Sequence, residues 1–233
     1  MYMISFQEFP NVDKINKYFS EKIAVALSNM VSRHGKASLV VSGGSTPLEL
    51  FKSLAKINIQ WSKVIITLAD ERWVDPIDDS SNEKLVREYL LKDYASDAEF
   101  ISLKNNCANP FTGSLYTEHA LDAIARPFDI VVLGMGDDGH TASLFPGVDN
   151  LDTALSMNSG RICIGIRPIT ARFDRITLTL PALLNSRNIY LYFTGNTKLD
   201  IYQRATQGTD LSELPIRAIL QQNTTPVHVY WTS

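Results

Sequence analysis

The stretch "SLVVSGGSTPLEL", residues 38–50, runs from an apolar segment through two glycines into a helical pattern. Residues 38–42 are mostly branched and apolar, which reads as a strand. Gly43 and Gly44 allow a sharp turn and a close approach of backbone to a ligand. Thr46 is placed to be an N-cap, Pro47 suits the first helical position, and Glu49 completes a capping box. A strand that turns directly into a helix is the building unit of an α/β fold.

Working outward, the same kind of apolar run recurs at 64–68, 128–133, 162–166 and 189–193. Runs apolar at nearly every position imply strands covered on both faces, as in a parallel sheet. Amphipathic stretches at 46–57, 81–92, 115–125 and 197–206 lie between them. Ile15, Tyr18, Phe19, Ile23, Leu27, Met30 and Val31 have helical spacing, and Gly35 is a stop signal. "PVHVYW", 226–231, reads as a last strand, and the polar, Asn-rich 94–114 as a long excursion. Alternating strands and helices imply an open, doubly wound α/β sheet. With no repeat, low-complexity tract or linker in view, residues 1–233 are expected to form a single domain.

Composition narrows the function classes. The chain has 233 residues, 45% hydrophobic and 20% charged, with a net charge of −3. No Lys/Arg block forms an electrostatic footprint for nucleic acid. No apolar run approaches the roughly 18 residues of a membrane span. The start, "MYMISFQEFPNVDK", lacks the basic-then-apolar pattern of a signal peptide. Cys107 and Cys163 make neither a disulfide framework nor a CxxC metal site. A reducing, cytoplasmic setting is expected, with no nucleic-acid or membrane partner and a monomer or weak homodimer as the assembly.

The ends of three strands carry the candidate chemistry. Gly43, Gly44, Ser45 and Thr46 precede a helix, whose N-terminal N–H groups and dipole suit a phosphate. The pattern is neither a Walker loop nor GxGxxG, and the same turn could equally bind nothing. "IITLADERW", 65–73, ends in Asp70, Glu71 and Arg72, where a solvated strand end competes with a ligand site beyond the sheet's carboxyl edge. "GMGDDGHTASLFPG", 134–147, sets Asp138 two residues before His140, so that a carboxylate can orient an imidazole. HxxxH, HExxH and GxSxG are absent, so neither a metal ligand set nor a nucleophilic serine is indicated. His34, His119 and His228 lie on a helix end, a helix and a strand, and read as structural.

These stretches, in this order, resemble the 6-phosphogluconolactonase family. The matching elements are "SGGSTP", "DERWV" followed by Ser81-Asn82, "GMGDDGHTASLFP", "RITLTLP" at 175–181 and "TGNTK" at 194–198. The resemblance implies a modified, Rossmann-like, doubly wound and mostly parallel sheet with helices on both faces, shared with the glucosamine-6-phosphate deaminases. It implies hydrolysis of 6-phospho-D-glucono-1,5-lactone without metal or organic cofactor, a small-molecule sugar-phosphate lactone being the partner. It also implies roles. His140 is the general base with Asp138 beside it, and Arg72 with Asp70 forms the second catalytic motif. Gly43, Gly44, Ser45 and Thr46 cradle the phosphate with Lys198, and Arg175 joins the substrate-binding set. Arg167 and Arg172 fall in a stretch the motifs do not cover. Two readings compete with the lactonase. A deaminase carries glutamate where this chain has Phe145 and lacks the arginine found at Arg72. A non-catalytic sugar-phosphate-binding protein would keep the phosphate loop and lose the catalytic one.

Overall fold

A computed structural model describes residues 4–169 and 171–233. The first three residues of the N-terminal stretch read above lie outside the described part. The elements run β1 (Ile4–Glu8), α1 (Val12–His34), β2 (Ala37–Val41), α2 (Leu48–Ala55), β3 (Val64–Leu68), β4 (Asp70–Arg72), α3 (Asn82–Tyr89), β5 (Glu99–Ile101), α4 (Pro110–Leu121) and β6 (Ile130–Leu133). They continue with α5 (Leu151–Leu155), β7 (Cys163–Ile166), β8 (Arg175–Leu178), α6 (Leu180–Leu184), β9 (Ile189–Thr194), α7 (Asn196–Gln207), α8 (Arg217–Leu220) and β10 (Val227–Thr232). A 7-stranded sheet has the order β1-β10-β9-β6-β2-β3-β5, with every pairing parallel. The doubly wound α/β expectation holds.

The main sheet is built as its sequence implies. Every residue of β2, β3 and β6 is buried, because helices cover both faces. α1 starts where the Asn11 side chain accepts from the Lys14 N–H, at 3.0 Å, and ends at Gly35 with φ 78. Its Phe19 packs between Tyr190 of β9 and Tyr230 of β10, at ring-centre distances of 5.1 and 4.9 Å. Asp129 accepts from the N–H and Oγ of Ser38 and from Arg187, tying β2 to the start of β6.

Three expectations are corrected. The run at 162–166 does not join the parallel sheet. β7 pairs antiparallel with β8, and β8 with β4, in a separate 3-stranded sheet. The 94–114 segment is not one excursion, since it holds edge strand β5 and the start of α4, capped by Asn109 with Pro110 in its first turn. The capping box on α2 does not form. Pro47 occupies the N-cap, without a side-chain cap bond, and Glu49 pairs with Lys52 instead.

β4 is the joint between the sheets, and its period of 2 sorts its charges. Asp70 and Arg72 face one way. Glu71 turns the other way and is 1% exposed. Its carboxylate accepts from the backbone N–H groups of Arg72, Asn82 and Glu83 and from Ser81 Oγ, at 2.6–2.9 Å. An anion thereby fills the N-terminus of α3, whose first N–H groups have no partner within the helix.

Glu71→Gln turns an amide NH2 toward donors that now meet oxygen, and the expected loss is about 1–3 kcal/mol in urea unfolding at neutral pH. Burial lifts the Glu71 carboxyl above its ordinary 4.5, although the hydrogen bonds from Asn82, Glu83, Arg72 and Ser81 pull it down. The folded protein therefore holds this proton more tightly than the unfolded chain does. Wild-type stability relative to the variant should fall as pH rises from 4.5 through the raised value, then level off. A difference that stays constant across that window would sink this account of Glu71.

Candidate active site

β2 pairs with β3 on one side and β6 on the other, although β6 follows β5 in the chain. The winding direction switches there, and such a switch opens a crevice beyond the carboxyl ends of the strands. A cleft of about 420 Å³ lies at that point. Gly43, Gly44, Ser45, Thr46, Asp70, Arg72, Asp138, His140, Arg175 and Lys198 all line it. The structure thus brings every expected site residue into one cavity.

The β6 exit supplies the titratable pair. His140 Nδ1 lies 2.5 Å from Asp138 Oδ1, which also accepts the His140 backbone N–H at 3.1 Å. A carboxylate only accepts, so Nδ1 carries the hydrogen and the neutral ring keeps a lone pair on Nε2. Burial pushes the Asp138 carboxyl up, but its hydrogen bonds from His140 outweigh this and hold it below the ordinary carboxylate range. Gly136 is required here, because a Cβ would strike the His140 ring and Asp138 Oδ1. Phe145 covers the other side of the imidazole, ring centres 4.2 Å apart and planes 34° apart.

The β2 exit supplies backbone donors. None of the N–H groups of Gly43, Gly44, Ser45 and Thr46 donates to another protein atom among the described residues. A Cβ on Gly43 would collide with the side chain of Asn82, whose Nδ2 donates to the Asp70 carbonyl at 2.9 Å.

The small sheet supplies cations. Arg72 and Arg175 are direct cross-strand partners between β4 and β8. Arg72 donates to the Ser80 carbonyl at 2.6 Å. Arg175 makes no side-chain hydrogen bond or ion pair among the described residues, and its Nε is buried without a partner. Burial pulls the Arg175 pKa down, the Asp70 charge pushes it up and Arg72 pushes it down again. Asp70 is itself held, accepting from Ser143 Oγ at 2.5 Å. Ala142, with φ 50, bends the chain so that Ser143 can reach it. Lys198, in the first turn of α7, reaches the same cleft from the β9 side.

Of the residues left open, Arg167 is taken up by Asp174, at 2.9 and 3.0 Å, and lies over Phe111 rather than in the cleft. Arg172 is exposed and lies over Phe173. His34, His119 and His228 lie away from the cleft. Sequence reasoning assigned no part to Asn82, Ser143 or Tyr192. The first two sit inside quoted motifs, where position alone could have flagged them. Tyr192 is an inward position of an all-apolar strand, and its hydroxyl donates to Asn16.

Comparison with known proteins is consistent along the whole chain. Residues 10–231 match the family model described as glucosamine-6-phosphate isomerases/6-phosphogluconolactonase. A 6-phosphogluconolactonase of Rhizobium meliloti (strain 1021) is 37% identical over 223 residues, covering 96% of each chain. A crystal structure of a 6-phosphogluconolactonase from Shewanella baltica OS155 is 47% identical and superposes with a TM-score of 0.97, covering 99% of this chain and 98% of that one. A putative 6-phosphogluconolactonase from Neisseria gonorrhoeae FA 1090, 33% identical over the full length of both chains, gives 0.91. With strand order, cleft and motifs in agreement, this chain belongs to the family of glucosamine-6-phosphate isomerases and 6-phosphogluconolactonases.

Proposed function

We propose that this chain hydrolyses 6-phospho-D-glucono-1,5-lactone to 6-phospho-D-gluconate, the second step of the oxidative pentose phosphate pathway. The observation that carries the reading is the oriented His140–Asp138 pair, with Nε2 unengaged among the described residues, in a cleft lined by Arg72, Arg175 and Lys198. The named activity of the full-length relatives supports it. The whole of residues 1–233 acts as one lactonase domain. No helix among the described residues is long and apolar enough to cross a membrane. The compartment is the cytoplasm, consistent with Cys107 and Cys163 both being free thiols.

A lactone needs a nucleophile, charge stabilisation and a held substrate. His140 Nε2 takes a proton from water as the water oxygen bonds to C1. Asp138 fixes the ring and stabilises the imidazolium. The carbonyl electrons move onto the exocyclic oxygen, where the small sheet brings the guanidinium donors of the cleft, Arg72 and Arg175. Collapse re-forms the carbonyl and breaks the bond from C1 to the ring oxygen, which takes the proton from His140 and leaves as the C5 hydroxyl. The carboxylic acid product then ionises. Phosphate held by the 43–46 loop and Lys198 keeps C1 in place, so binding at one end serves orientation at the other. Asp70, held by Ser143, supplies counter-charge between Arg72 and Arg175.

The sister activity, isomerisation with deamination of glucosamine-6-phosphate, is disfavoured by the surroundings of His140. Its neighbour at 145 is an aromatic ring, 6% exposed and stacked on the imidazole, not a carboxylate. A purely binding protein has no use for a base oriented by Asp138.

Three measurements test the assignment. Wild type given fresh lactone should release acid well above the spontaneous rate and release no ammonia from glucosamine-6-phosphate. Ammonia from wild type overturns the reading. His140→Asn should lower lactone turnover by about 10²–10⁴-fold with unfolding unchanged; a loss of only a few-fold removes His140 from the base role. Phe145→Glu should lose lactonase activity and thermal stability and gain no ammonia release. It places a carboxylate in a site packed for a ring, against His140. Deaminase activity in that variant would show that position 145 alone sets the reaction.

A further inference from the structure

We infer that Arg175 is the catalytic residue that receives the negative charge developing on the exocyclic oxygen at C1, and that it binds the C1 carboxylate of the product rather than the phosphate. The inference rests on the lactonase reading and adds a division of the cleft into two anion-binding ends.

The layout of the strands separates those ends. Lys198 follows β9 and the Gly43–Thr46 loop follows β2, and these strands flank β6 on its two sides. Together they bracket the β6 exit from the main sheet. Arg72 and Arg175 come instead from the small sheet, where they face each other across β4 and β8. Positive charge thus reaches the cleft from two separate structures. The substrate has one anion, its phosphate. The transition state adds a second at C1, and the product keeps that second charge as a carboxylate.

Contacts with Phe145 decide which end lies beside the base. The Arg175 guanidinium carbon is 5.8 Å from the centre of the Phe145 ring, and the centre of the His140 ring is 4.2 Å from it. One aromatic ring therefore touches both groups. Water activated at His140 attacks C1, and Arg175 is the cleft cation that the Phe145 ring links to this base. Among the described residues, Lys198 makes no ring contact of this kind.

The choice between the two arginines follows from their partners. Arg72 spends part of its donor fork on the Ser80 carbonyl. The Nε of each arginine is buried without an acceptor, but Arg175 makes no side-chain hydrogen bond at all among the described residues, so its whole fork is unspent. A guanidinium in that state, facing a like charge on the adjacent strand, destabilises the fold. A planar carboxylate, or an oxyanion on its way to one, matches the unused fork.

The test separates C1 from the phosphate by ligand and by variant. Calorimetry compares wild type, Arg175→Gln and Lys198→Ala, each with 6-phosphogluconate and with glucose 6-phosphate. The second ligand has the same phosphate and no carboxylate. Arg175→Gln should weaken 6-phosphogluconate by about 10- to 100-fold and leave glucose 6-phosphate within about 3-fold. Lys198→Ala should weaken both alike. Lactone turnover in Arg175→Gln should fall about 10²–10³-fold, mainly in kcat. Its Tm should stay close to that of wild type, since no hydrogen bond among the described residues is lost and the lost attraction to Asp70 and Glu71 is offset by the lost repulsion from Arg72. Equal weakening of both ligands by Arg175→Gln would assign Arg175 to the phosphate and overturn the inference, as would unchanged affinity for both. The affinity split needs no turnover, so a wild type that fails to hydrolyse lactone defeats the functional reading without deciding the placement of Arg175.

Discussion

Parallel pairing of β2 with β3 on one side and β6 on the other forces the chain to leave all three strands at the same edge. The register makes the coincidence close. Val41 stands opposite Leu68 and Val132, so the next residues of each strand emerge almost level. A glycine loop, a charged joint and a histidine loop then meet without any long-range design beyond sheet geometry. Ser143 locks the arrangement from above. Its Oγ reaches Asp70, and its N–H donates to Thr177 on β8 at 3.2 Å. The histidine loop of one sheet is thereby stitched to two strands of the other. Few substitutions at this corner can act on one loop alone, because effects couple among groups that share hydrogen bonds.

The small sheet explains how cations can stand unpaired in a chain whose net charge is −3. Several arginines elsewhere find carboxylates, as Arg161 finds Glu118 and Arg187 finds Asp129. In the cleft, β4 and β8 fix two guanidiniums opposite each other, and Asp70, whose charge favours Arg175, is shared with Ser143. Rigid strands can hold like charges together where loops would let them swing apart. The cost falls on stability, and the return is a donor set already oriented before an anion arrives, so that little reorganisation accompanies the reaction.

What the sequence made legible follows from which signals are local. The α1 stop at Gly35 and the Asp138–His140 spacing are set within a few residues, and each appears where the pattern placed it. Pairing partners are not local. The run at 162–166 has the apolar character of a buried parallel strand, yet it forms β7 of the antiparallel sheet, because helix α4 and the main body bury it equally well there. Glu71 was read with Asp70 and Arg72 as one charged strand end. Alternation alone separates it from them, but its use became visible only once α3 placed its N-terminus over the carboxylate. The α2 capping box matched a motif and still did not form, since the chain enters that helix one residue later than the pattern implied and leaves Pro47 at the cap.

Phe145 shows how the environment of one ring can choose between two reactions on a shared framework. On the proposed mechanism His140 must be neutral at rest and charged only while it carries the proton from water. Asp138 already occupies Nδ1. A second carboxylate at position 145 would offer the ring another acceptor and compete with the substrate for Nε2. An aromatic face behaves differently. It excludes water from that side of the ring, and its quadrupole attracts the imidazolium without the full force of an anion. Stacking at 4.2 Å also restrains the ring, so that Nε2 stays aimed into the cleft while Nδ1 remains on Asp138.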